Sequence, residues 1–93
     1  MIYYLEGTAS NRRDEEVLLV SMLLEETVGH QWGLTLTELP TSKDTSVIIG
    51  EDDSRPDRAQ LAALAWAYAT LALRFGCRPE EVVLTAPEGW KRV

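Results

Sequence analysis

SNRRDEEVLLVSMLLEETVG, residues Ser10–Gly29, holds the densest apolar run of the N-terminal half and sets the order of elements around it. Ser10 or Asn11 is a candidate N-cap, and Asp14, Glu15 and Glu16 fill a first turn in which the helix dipole favours carboxylates. Val17, Val20, Leu24 and Val28 recur at helical spacing, with Leu18, Leu19, Met22 and Leu23 spread further around the same wheel. This pattern predicts a helix with a wide apolar arc that ends at Gly29.

A second helix is expected from Ser54 to Gly76, SRPDRAQLAALAWAYATLALRFG. Ser54 and Asp57 have the spacing of a capping box, Pro56 suits the first turn, and Gly76 can supply a left-handed cap. Leu61, Leu64, Tyr68, Leu71 and Phe75 form one stripe expected on a sheet. Ala62, Trp66, Ala69 and Leu73 form another that needs a second helix or a partner.

Outward from these segments, Ile2–Leu5 reads as a strand covered on at least part of both faces, and 34–39 (LTLTEL) alternates like a strand near a sheet edge. Val47, Ile48 and Ile49 are consecutive and apolar, which predicts a buried central strand. A last strand is expected over Glu81–Thr85. The resulting order, β-α-β-β-α-β, predicts an α+β single domain over residues 1–93. It is ferredoxin-like, with two helices on one face of a four-stranded sheet and the first and third strands as its parallel central pair.

Fifteen acidic residues against nine basic ones give a formal net charge of −6. That balance argues against a nucleic-acid backbone or an anionic membrane as main partner and favours a protein with a basic surface. No charged segment followed by a long apolar stretch opens the chain, and Cys77 is the single cysteine, so a cytoplasmic location is expected.

Glu6, Glu51, Asp52 and Asp53 are the candidate recognition residues. If the first and third strands are parallel neighbours, these carboxylates leave the same end of the sheet, where oxygen ligands for Mg²⁺ or Ca²⁺ are one use and a solvated acidic patch another. Trp32, in an expected connector over residues 30–33, Trp66 and Leu73 are candidate contact residues, since tryptophan is enriched at interface hot spots. His30 and Cys77 each lack a neighbour at metal-ligand spacing, the serines lack a nucleophile-elbow context, and the glycines are dispersed, so no catalytic, cofactor or metal site is expected.

The stretch Val47–Val93, with VIIGE, a long Ala/Leu helix and VVLTAPEGWKRV, resembles in outline part of the Holliday-junction resolvase domains. That resemblance implies a catalytic carboxylate at Glu51. It departs at the first strand, where Ile2, Tyr3 and Tyr4 stand in place of an early acidic residue. The favoured expectation is therefore a non-enzymatic, acidic inhibitor of the immunity, antitoxin or phage anti-defence type, with self-association into a homo-oligomer. A structural or virion assembly subunit is the alternative, and a metal-dependent phosphodiester enzyme using Glu6 and Glu51 ranks last.

Overall fold

The computed structural model of the chain describes residues 1–13, 16–28, 31–39, 41–49 and 55–93. Four long strands come first: β1 (Ile2–Asn11), β2 (Val17–Glu26), β3 (Trp32–Leu39) and β4 (Lys43–Ile49). They are followed by helix α1 (Pro56–Phe75), a 3₁₀ turn at Pro79–Glu81, and the short strands β5 (Val82–Thr85) and β6 (Lys91–Arg92). All pair antiparallel in one sheet of order β4-β3-β2-β1-β5, with β6 beside β5 along the same edge of β1.

The ferredoxin-like expectation is overturned, because the segment expected to be the first helix is strand β2. Its apolar residues divide by parity rather than by turn. Val20, Met22 and Leu24 are buried on one face, and Val17, Leu19 and Leu23 are exposed on the other. A strand that is apolar on both sides imitates the wide arc of a buried helix, and here pairing with β1 and β3 satisfies its backbone on both edges. Asn11 works as a turn former instead of a helix cap: its Oδ1 accepts from the Arg13 N–H at 3.1 Å. Arg12 N–H donates to the Glu81 carbonyl at 3.0 Å, fastening this turn to the chain before β5.

The strand assignments shift with it. The alternating segment 34–39 lies in β3, inside the sheet, and its alternation is one-sided burial: Trp32, Leu34, Leu36 and Glu38 are buried, with half-buried residues between them. The Val47–Ile49 run expected at the centre lies in β4, the edge strand, where no described residue is buried. β1 runs on to Asn11, well beyond Leu5. The strand expected over Glu81–Thr85 is β5 (Val82–Thr85), but it is not the last, because β6 (Lys91–Arg92) follows it and pairs with β1.

Helix α1 covers one face of the sheet. Ala59, Ala63, Ala67 and Leu71, spaced four apart, are its buried line, with Ala72 beside them. Alanine there lets the helix axis approach the sheet closely. Leu64, Tyr68 and Phe75 flank this line as expected, but Leu61 points away and is exposed. Arg55, not Ser54, occupies the N-cap, with Pro56 following it. Ser54 itself lies outside the described residues. Gly76 caps the C-terminus at φ 69°, and Cys77 N–H donates to the Ala72 carbonyl at 2.9 Å.

One glycine is fixed by crowding. β5 and β6 pair with β1 on either side of Glu6 and Gly7, and the connection between them passes over Gly7. A Cβ on Gly7 would fall 2.2 Å from the Thr85 carbonyl oxygen.

Candidate functional site

The strand registers define what the helix leaves uncovered. Successive cross-strand rows on that face are Ile2–Glu25–Gly33–Ile48, then Tyr4–Leu23–Thr35–Ser46, then Glu6–Ser21–Thr37–Asp44, then Thr8–Leu19–Leu39. Directly opposed residues of an antiparallel pair share a face, so each row is a line of neighbouring side chains. Apolar groups stay in water here: Leu19 is 55% and Ile48 61% exposed. A single such residue is ordinary, but a connected set is the mark of a contact surface.

Hydroxyls order the middle of the face. Thr35 Oγ1 and Ser46 Oγ share a hydrogen bond at 3.2 Å, and Thr37 Oγ1 donates to Asp44 Oδ1 at 2.7 Å. The carboxylates of Glu6, Glu25 and Asp44 also lie on this face. Lys91, the cation beside Tyr4, is ion-paired with Glu88, and that pairing raises the lysine pKa. The face is therefore apolar and acidic together.

Two depressions mark it. One, of about 350 Å³, lies at Gly33 between Leu23, Glu25, Thr35, Ser46 and Ile48. The other, of about 390 Å³, lies between Leu19, Leu39, Glu6 and Pro87.

On the opposite side of the molecule, Leu61, Ala62, Ala65, Ala69 and Leu73 form an exposed stripe along the outer surface of α1. Arg74 at its end bridges the two layers, with its Nε 3.4 Å from Glu38 and its Nη2 3.3 Å from Glu16. Glu38 is the one polar residue buried among the described residues, and this bridge accounts for it.

The residues singled out in the sequence do not form one site. Glu6 does not follow the first strand; it stands in the middle of β1, exposed on the open face. Glu51, Asp52 and Asp53 lie outside the described residues. The premise that would have joined them fails, because β1 and β4 are not parallel neighbours: β2 and β3 stand between them, an offset of roughly 14 Å. β4 also ends level with Met1, about 17 Å along β1 from Glu6. Among the described residues, no group of three or more His, Cys, Asp and Glu side chains could hold a metal ion.

Trp32 is not a connector residue but the first residue of β3, fully buried, with its ring centroid 6.2 Å from that of Tyr3. Trp66 is half-buried against the core, and Leu73 is 86% exposed. The open-face residues Leu19, Leu23, Glu25 and Ile48 escaped sequence reasoning. The signal that could have found them is the period-two division of β2, legible once the segment is read as a strand.

Cys77 follows the helix cap, half-buried. Desolvation, with Glu81 nearby, raises its thiol pKa, which opposes thiolate chemistry at neutral pH. His30 lies outside the described residues. No described helix is long and apolar enough to cross a membrane. No known family model matches the chain, and neither a curated protein nor a solved structure is significantly similar to it.

Proposed function

We propose that this chain is a small acidic protein-interaction module that lays the open face of its sheet on a basic, partly apolar surface of another protein and occludes it. It acts in the cytoplasm as an inhibitor of the immunity, antitoxin or anti-defence type, without catalysis and without a cofactor. The observation that carries this reading is the composition of the open face: exposed Val17, Leu19, Leu23 and Ile48 interleaved with Glu6, Glu25 and Asp44. Apolar side chains supply affinity when they are desolvated, and carboxylates select a cationic partner and speed the encounter. The net charge of −6 favours the same class of partner and disfavours nucleic acid and anionic membranes.

Site-specific photo-cross-linking in the native host tests it. A benzoylphenylalanine at Ser21 or Thr37, in the middle of the open face, should give adducts with one or a few basic proteins, weakened by salt and lost on Leu23→Glu. The same group at Ala65, on the outer surface of α1, should give none. Adducts from Ala65 alone would move the interface to the helix and overturn the reading.

The exposed stripe Leu61, Ala62, Ala65, Ala69 and Leu73 favours a second reading, a self-associating assembly subunit. Under it, Ala65 adducts would be dominated by a second copy of the same chain, and the protein would sediment as a homo-oligomer.

A further inference from the structure

The depression at Gly33 has a chemistry narrower than that of the face around it. Gly33 stands directly across from Glu25 on one side and Ile48 on the other, so the missing side chain leaves a gap in the middle of a row. Leu23, Thr35 and Ser46 of the next row close one side of that gap. Neither crowding nor conformation demands the glycine: a Cβ there would meet nothing nearer than 3.9 Å, and its φ is not in the left-handed region. In a strand interior, an unforced glycine weakens the sheet and often marks a place where another group approaches closely. Among the described residues, Glu25 forms no ion pair, so its carboxylate stands uncompensated at the rim.

Resting on the open-face reading above, we infer that the Gly33 depression is an anchor subsite for one arginine side chain of the partner protein. Charge complementarity selects a cation, because among the described residues the rim carries one carboxylate and no positive group. The walls select a long stem, since Leu23 and Ile48 can cover methylenes that a compact cation lacks. The hydroxyls then favour guanidinium over ammonium. Its planar fork can engage Glu25 in two parallel bonds and still direct N–H donors toward Thr35 and Ser46, whose oxygens retain lone pairs beside their mutual bond.

Two-dimensional NMR of the intact chain, titrated with N-acetyl-arginine methylamide, tests this directly. Saturable shifts should centre on the amides of Leu23, Gly33, Thr35 and Ser46. The citrulline analogue, equal in shape and uncharged, should leave them unmoved, and the lysine analogue should bind more weakly. Gly33→Val fills the gap and should abolish the response, while Glu25→Gln should weaken it roughly fivefold, the scale of a partly exposed ion pair. Should Gly33→Val fail to fold, Glu25→Gln decides alone. Equal binding of citrulline, shifts spread over the surface, no response, a response that survives Gly33→Val, or one that Glu25→Gln leaves undiminished overturns the inference. The photo-adducts separate this failure from a broader one. If the Ser21 adduct forms and ignores Gly33→Val, the arginine subsite is wrong and the open face stands; if no Ser21 adduct forms, the face itself is wrong.

Discussion

The two faces of the sheet are built from the same strands and meet opposite fates. On β2 they are nearly matched in composition: Val20, Met22 and Leu24 face the helix with almost no exposure, while Val17, Leu19 and Leu23 face solvent. On β3 they differ, with Leu34 and Leu36 beneath the helix and Thr35 and Thr37 outside. Solubility accounts for the threonines. Nothing in the fold accounts for the outward leucines, since burying a leucine stabilises by about 1.5–3 kcal/mol only when something covers it. The contrast separates apolar residues that make the domain from apolar residues that are surplus to it, and the surplus is where binding is to be sought.

The comparison breaks most visibly from the covered side. Trp32→Ala removes the largest fully buried side chain and should cost about 3–5 kcal/mol, read as a lower denaturant midpoint in chemical unfolding. A loss under about 1 kcal/mol would mean that the helix-covered face is not the core. Gly7→Ala should cost about 1–3 kcal/mol by overpacking, because the new Cβ meets a backbone carbonyl and not a flexible side-chain end. A tolerated alanine would show that the β5–β6 connection does not press on β1. Smaller again is Arg74→Ala. Its side chain is 40% exposed, so severing the bridge to Glu38 and Glu16 should cost about 1 kcal/mol or less in the same unfolding measurement, and high salt should shrink the difference.

How far the chain could be read in advance follows from this asymmetry. The long helix was legible because Pro56 and Gly76 punctuate an alanine- and leucine-rich run, and Gly76 does take the left-handed cap. β3 was legible in type because strict alternation has one structural meaning. β2 was not, because residues apolar on both faces of a strand satisfy the helical template equally well, and the turn that decides the matter involves Asn11 and Glu81, seventy positions apart in sequence. The helical reading of β2 carries the site with it: it puts Glu6 at a strand end shared with Glu51, whereas Glu6 stands mid-strand on the open face. Leu73 was legible as a surplus apolar residue, whereas Trp32 looked like a connector residue because its strand begins on it.

The smallest effect on stability should carry the largest effect on binding. Ile48 and Leu23 are 61% and 38% exposed in the isolated chain, so Ile48→Thr removes mostly unburied apolar area and Leu23→Thr removes area buried in part, and threonine has the β-branched shape that strands favour. Ile48→Thr should change unfolding free energy by no more than about 0.5 kcal/mol, the range of surface substitutions away from special features, and Leu23→Thr by about 1 kcal/mol. The same variants should reduce photo-cross-linking from Ser21, because a contact that desolvates these side chains loses that contribution. If instead either variant lowers stability by 2 kcal/mol or more, the open face is covered in the isolated protein as well, by a second copy or by residues outside those described. The distinction between the two faces would then collapse. Unfolding measured at several protein concentrations separates those covers, since only a second copy makes the midpoint rise with concentration.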